Sequence, residues 1–221
     1  MFLHLNPAQL ARIADATRRS RAGKGKMLFQ VGDPCHGFHV VASGQVKLGF
    51  MSPHGQEKVV EIISPGQSFG EAILFMERPY VVFAQALVDS VLLHVPKVVL
   101  FDELERDPRL ARMMLASLSQ RLHHLIMDVE AYSLRSGKER IIGFLLRELD
   151  GDLEGDLAHS GDHEPVTITL PASKGTVASR LNLTQEHFSR MLHELAAQGL
   201  IHIMGRKIHI PDPARLRHFQ P

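Results

Sequence analysis

One uninterrupted apolar series limits this chain more than any other feature. Ala111, Leu115, Leu118, Leu122, Leu125, Val129 and Tyr132 follow one another at spacings of 4, 3, 4, 3, 4 and 3 within RLARMMLASLSQRLHHLIMDVEAY, residues 109–132. This is a heptad seam, and a helix of about seven turns carries it. A stripe so narrow is buried most economically against a copy of itself, with Leu115, Leu118, Leu122, Leu125, Val129 and Tyr132 as the interface. The other reading is an amphipathic helix packed on its own domain. Leu110, Met113, Met114 and Ile126 form a second apolar flank, so the helix is expected to touch both a partner and a domain.

Before the helix, turn residues recur at Gly32, Gly44, Gly55 and Gly66, separated by 12, 11 and 11. Between and after them lie MLFQV, GFHVVA, QVKLGFM, KVVEII, VVFAQAL and SVLLHV. Short β-branched runs with a glycine turn at this interval argue an antiparallel double sheet or jelly roll. The chain opens on a helix, with Asn6 as cap and Pro7 at the first position, running through AQLARIADATRR. The expected division is a β-roll over 1–108, the dimer helix over 109–135 and a third module over 136–221, an α+β organisation. Ser136, with Glu139 three residues on, is a capping box for a further helix bearing Ile141, Ile142, Leu145, Leu146 and Leu149. Gly137 and its neighbours are the expected hinge. The acidic stretch 150–165 is expected as an exposed connection; it lacks the ligand spacing of a calcium loop.

From Val166 the sequence reads as a strand, a first helix, the turn NLT and a second helix, QEHFSRMLHELAAQG. Val177, Leu181, Leu183, Phe188, Leu192 and Leu195 supply a core at helix-turn-helix spacing. Thr184 is placed to cap the second helix, so Glu186, Ser189, Arg190 and His193 face outward near its N-terminal end. Arg190 carries the forked donors that match guanine O6 and N7, Glu186 can accept from cytosine N4, and their i, i+4 spacing should pair them. Gln185, His187, Thr184 and Lys174 lie beside them. A following hairpin puts Arg206 and Lys207 at a tip suited to phosphate. From Pro171 onward, seven Lys and Arg against three Asp and Glu fit a polyanionic partner, although the whole chain carries only +1. Double-stranded DNA is therefore the expected partner.

Composition excludes several classes. One cysteine, Cys35, cannot make an internal disulfide or a four-thiolate iron–sulfur cluster. No run of 18 apolar residues occurs, and the N-terminus has neither charged leader nor cleavage pattern, so a cytoplasmic protein without membrane attachment is expected. No nucleophile elbow, zinc-protease helix or phosphate-binding glycine loop appears, and no enzyme is expected. A β-roll ligand-binding protein or enzyme with an incidental basic module stays as the alternative.

Over essentially its whole length the sequence resembles the CRP/FNR superfamily of bacterial transcription regulators. The resemblance rests on the glycine-punctuated roll, the FGE of Phe69–Glu71, the long helix, RIIGFLL and TQEHFSR. It implies a dimer that binds a palindrome, an effector in the roll beside the dimer helix, and RNA polymerase as a further partner. Glu186, Ser189 and Arg190 resemble an FNR-type readout, which implies a TTGAT-like target. Where a cyclic-nucleotide sensor of this family carries an arginine and a serine, this chain has Tyr80, Val81 and Val82, so cAMP is not expected. GQEKVVE, EAILFMERPY and the TQEHFSR helix are similar to the dissimilatory nitrate respiration regulators, which implies haem and nitric oxide. The pocket expected for such an effector comprises Phe69, Glu71, Phe75, Met76, Tyr80, Phe83, Leu122, Leu125 and Ile126. Axial ligands stay open among His36, His39, His54, His94, His123 and His124. No covalent attachment motif is present.

Overall fold

The computed structural model describes residues 5–153 and 164–219, and the chain divides into two compact units, Met1–Ile126 and Met127–Pro221. In the first unit, helix α1 (Pro7–Ala16) is followed by strands β1 (Arg18–Ala22), β2 (Met27–Phe29), β3 (Gly37–Ser43), β4 (Val46–Met51), β5 (Glu57–Ile63) and β6 (Ser68–Phe69). Helix α2 (Glu71–Met76), strands β7 (Phe83–Ala86) and β8 (Ser90–Pro96), and helix α3 (Lys97–Arg106) complete the roll. Two antiparallel four-stranded sheets, ordered β1-β8-β3-β6 and β2-β7-β4-β5, make the double sheet that the glycine spacing predicts. Gly32, Gly44, Gly55 and Gly66 all have positive φ, between 78° and 93°. Gly44 is the most constrained, since a Cβ there would stand 2.3 Å from Ser90 Oγ and 2.6 Å from the Asp89 carbonyl.

The core between the sheets holds Phe29, Val41, Val46, Ile63, Phe69, Tyr80, Ala84 and Leu92. A second core, with Ile13, Phe38, Val40, Leu74, Val95, Leu100, Leu110 and Met114, lies on the other face of the first sheet. The opening helix is shorter than its sequence pattern suggested. It ends at Ala16, where Thr17 turns extended and its hydroxyl donates to the Ile13 carbonyl, and Arg18–Ala22 pair with β8. Asn6 and Gln9 form the capping box at its start.

The long helix α4 (Pro108–Leu134) runs from the first unit into the second, which continues with α5 (Gly137–Leu153), β9 (Val166–Thr169), α6 (Lys174–Arg180), α7 (Gln185–Ala197), β10 (His202–Met204), β11 (Lys207–Ile210) and α8 (Pro213–Arg217). Helix α5 extends into the expected acidic connection, and 154–163 lie outside the described residues. The Ser136–Glu139 capping box forms, each side chain bonding the other's backbone N–H at 3.3 and 2.6 Å. Gly137, the expected hinge, opens α5 just after α4 ends at Leu134. It is buried at the start of α5, where a Cβ would stand 2.7 Å from the Met191 thioether and 3.2 Å from Leu183 Cδ2. It packs closely against α7 and the turn before it.

Candidate nucleic-acid interface

The second unit builds a helix-turn-helix around Val177, Leu181, Phe188, Leu192 and Leu195, all at most 2% exposed. Thr184 caps α7 by accepting from the His187 amide, and Ser173 caps α6 by accepting from Thr176. The turn between them is held from α5: Arg140 donates to the Leu181 and Asn182 carbonyls at 2.8 and 3.1 Å, filling acceptors that a helix end leaves open. Asn182 adopts a left-handed φ of 57°, which its short polar side chain tolerates. Lys138 of α5 grips Glu194 of α7 at 2.8 Å and holds that carboxyl below the usual range.

On the outer face of α7, Glu186 and Arg190 are exposed, and Ser189 is half-buried. The pairing differs from the sequence expectation: Arg190 lies nearest Glu194, at 3.9 Å. Glu186 stands in the first turn, where free amide N–H groups already favour a carboxylate, while Glu194 is fixed within reach by Lys138. At 3.9 Å no hydrogen bond forms, and the Arg190 side chain is left 67% exposed, with its donors available for another acceptor. Gln185, Thr184 and Lys207 are exposed, whereas His187 and Lys174 are half-buried at the starts of α7 and α6. The three-stranded sheet β10-β11-β9 forms the expected wing. Arg206 is exposed but commits one donor to the Leu170 carbonyl at 2.7 Å, bracing the tip, so Lys207 is the freer cation there.

Helix α4 has one buried and one exposed apolar flank. Leu110 and Met114 are 2% exposed against the roll. Leu115, Leu122, Leu125 and Val129 are 62%, 60%, 39% and 64% exposed on the other side. Ile126, expected in the roll-facing flank, is exposed with them. Tyr132 departs from the seam: its hydroxyl donates to the Arg180 carbonyl, and Arg180 Nη1 donates to it at 2.7 Å. Arg180 also pairs with the buried Asp128 at 2.6 Å, and Arg147 of α5 pairs with the same carboxylate at 3.1 Å. The last turns of α4 are thereby fixed to α5 and α6.

The nine residues expected around an effector occupy three environments. Phe69, Tyr80 and Phe83 are buried in the roll, with Tyr80 stacked on Phe29 at 3.6 Å and Lys47 over Phe83. Phe75 and Met76 are on the surface, Phe75 against Phe101, and Leu122, Leu125 and Ile126 are exposed on α4. Glu71 is buried and meets a cation that sequence reasoning missed. Arg121 reaches Glu71 at 3.4 Å, Glu61 at 3.1 Å and the Ser68 carbonyl at 2.6 Å. Around it is a polar cavity of about 240 Å³ lined by Glu61, Gln67, Ser68, Ser117, Gln120, Arg121 and His124. The one signal in the sequence is that Arg121 continues the series Leu110, Met114, Ser117 at spacings of 4, 3 and 4. Two carboxylates already balance this guanidinium, so the pocket offers no spare positive charge to a phosphate.

The residues expected to line a haem site do not come together in one pocket of the single chain. The expected apolar wall is divided between core and surface, and His123 and His124 are exposed. Among the described residues no group of three or more His, Cys, Asp or Glu is placed to hold a metal ion. His39 is half-buried against Phe69 and His94, and burial, then His94, pull its pKa down to about 4. No helix among the described residues is long and apolar enough to cross a membrane.

Comparison with known proteins gives two family matches, a cyclic nucleotide-binding domain over residues 19–107 and a Crp-like helix-turn-helix domain over 139–219. The anaerobic regulatory protein of Pasteurella multocida is 27% identical over 214 residues, covering 96% of this chain and 76% of its own. Among solved structures, DNR from Pseudomonas aeruginosa is 34% identical over 99% of this chain and 93% of its own, with a TM-score of 0.50. FixK2 from Bradyrhizobium japonicum, 21% identical, shares the fold with a TM-score of 0.76, covering 93% of this chain and 98% of its own.

Proposed function

The chain belongs to the CRP/FNR family of transcription regulators, and from that premise we propose a homodimer whose two α7 helices read an FNR-type, TTGAT-like palindrome. The observation that carries this reading is the outer face of α7, where a capped helix start presents Glu186, Ser189 and a largely free Arg190 side by side. Arg190 reads guanine through O6 and N7, and Glu186 accepts from cytosine N4. Thr184, Gln185, His187, Lys174, Arg206 and Lys207 contact the backbone and fix the register. Two such helices must lie about 34 Å apart, one turn of duplex. The exposed leucines of α4 join the copies.

The relatives named as anaerobic regulatory proteins support control of genes for growth without oxygen; RNA polymerase as a partner, in the cytoplasm, is what the family resemblance implies. We propose an effector other than cAMP. The balanced Arg121 and the apolar Val81 and Val82 support this, since a cyclic phosphate would lack a counter-charge. An effector entering beside Arg121 would compete for the contacts that tie α4 to the roll. To convert a mostly inactive population into a mostly active one it must favour the active state by about 5.5 kcal/mol. Haem with nitric oxide, implied by the resemblance, is tested against this. The purified chain is titrated onto a TTGAT palindrome and a scrambled duplex, with and without haem and nitric oxide. Preference for the palindrome supports the regulator, and equal binding to both duplexes overturns it. Palindrome binding that rises only with haem and nitric oxide assigns the effector; full binding without them removes haem.

A further inference from the structure

A second cavity in the first unit belongs to neither the DNA interface nor the Arg121 pocket. It measures about 410 Å³ and lies between α1 and the outer face of the sheet β1-β8-β3-β6, lined by Leu10, Ile13, Ala14, Val40, Leu93 and Val95, with Thr17 and Arg19. The register explains the wall: Arg19 is opposite Leu93, and Leu93 is opposite Val40, so the three share one face. Arg21, two residues along β1, is on that face as well.

The side-chain polar contacts that tie helix α1 to another element run to α3 and to Asp107 just after it. Arg12 holds Glu103 of α3 with two bonds at 2.5 and 2.7 Å, and Gln9 donates to Asp107 at 2.9 Å. On the side facing β1, Leu10 is 47% exposed and Ala14, with its small side chain, is exposed too. An apolar slot therefore opens toward a strand whose outward residues are arginines. Among the described residues neither Arg19 nor Arg21 makes an ion pair, although both are exposed beside an apolar wall. Thr17 cannot supply a free donor, because its hydroxyl is spent on Ile13.

We propose that this cavity binds a single-chain amphiphile with an anionic head, of the class of a medium-chain carboxylate. The alkyl chain lies between α1 and the sheet, along Leu10, Ala14 and Leu93, with the buried Ile13, Val40 and Val95 as the floor. The carboxylate meets Arg19, with Arg21 next along the rim. A volume of this size falls in the range of small-ligand sites, and the wall has the composition expected of one: mostly apolar, with a single polar group to set orientation. Arg19 suits this role because its stem can follow the apolar wall while its guanidinium stays at the mouth. A haem is a poor occupant, since no histidine stands on the wall.

The test is calorimetric titration of the full chain with octanoate, decanoate and dodecanoate, and with decanol as the uncharged probe, all below their micelle concentrations. Each pair of added methylenes should tighten binding roughly fifteenfold until the slot is full, about fourfold per methylene. Decanoate should bind about tenfold tighter than decanol, and Arg19→Glu should erase that difference while leaving decanol unchanged. Ala14→Phe should block all four probes, and Leu93→Phe, from the opposite wall, should do the same if the helix change disturbs folding. Absence of binding by decanoate, equal affinity for decanol and decanoate, or binding that survives both filling substitutions would overturn the proposal.

Discussion

Replacing Leu122 with alanine should weaken the dimer about 30- to 1000-fold and leave the protomer as stable as before. Leu122 is 60% exposed in the single chain, so in the proposed dimer its burial would come from the second copy. Full burial of a leucine contributes about 1.5–3 kcal/mol, and the part still available here corresponds to about 1–2 kcal/mol for each copy. A two-fold interface counts the change twice, giving about 2–4 kcal/mol, which is the stated range in the dissociation constant. Leu110 provides the contrast, being 2% exposed within its own unit. Leu110→Ala should cost about 2–5 kcal/mol of folding stability. Sedimentation equilibrium over a dilution series measures the first effect and urea unfolding the second. An unchanged dimer constant for Leu122→Ala, or a loss of protomer stability equal to that of Leu110→Ala, would refute the assignment of the two flanks.

Three further outcomes follow from individual side chains. His39, with its folded pKa near 4, resists protonation while the unfolded chain takes a proton near 6.5, so stability is full above pH 6.5, falls between pH 6.5 and 4, and levels below. For a half-buried ring the loss is about 2 kcal/mol, and His39→Leu should flatten that part of a pH series of urea midpoints. Glu103 is held below the usual carboxylate range by Arg12 first and Arg106 after it, so Glu103→Gln should speed amide exchange in α1 with little change in the strands between the sheets. Lys207→Ala, at the wing tip, should weaken specific and random DNA binding alike and lower the salt slope by about one unit, read from anisotropy titrations at several salt concentrations.

The parts of this molecule that were legible in the sequence are those fixed by near neighbours. Gly32, Gly44, Gly55 and Gly66 mark turns because each needs a positive φ, and Thr184 marks a helix start because its partner is three residues away. The capping box at Ser136 and Glu139 is local in the same way. What could not be read depends on distant partners. Arg18–Ala22 carries helix-like charge and becomes a strand only because β8, about 70 residues later, supplies its hydrogen bonds. The Arg121 carboxylates come from 50 and 60 residues earlier in the chain. Tyr132 fits the heptad spacing, yet Arg180, 48 residues on, captures its hydroxyl. The i, i+4 rule allowed Arg190 either neighbour, and Lys138, on another helix, fixes Glu194. The expected effector pocket drew on aromatic and aliphatic residues alike, and the roll uses three of the aromatic ones, Phe69, Tyr80 and Phe83, as core.

The most direct test of the central claim is a two-by-two titration of the wild-type chain and Arg190→Ala on a TTGAT palindrome and on the same duplex with its guanine replaced. Arg190 is exposed and makes no hydrogen bond within 3.5 Å of Glu194, so its removal should leave the melting temperature nearly unchanged. Arg190→Ala should lose about 1–3 kcal/mol on the palindrome, roughly 5- to 150-fold, and should no longer distinguish the two duplexes. Equal losses on both duplexes would contradict base readout by this arginine and, with it, the proposed reading of the palindrome.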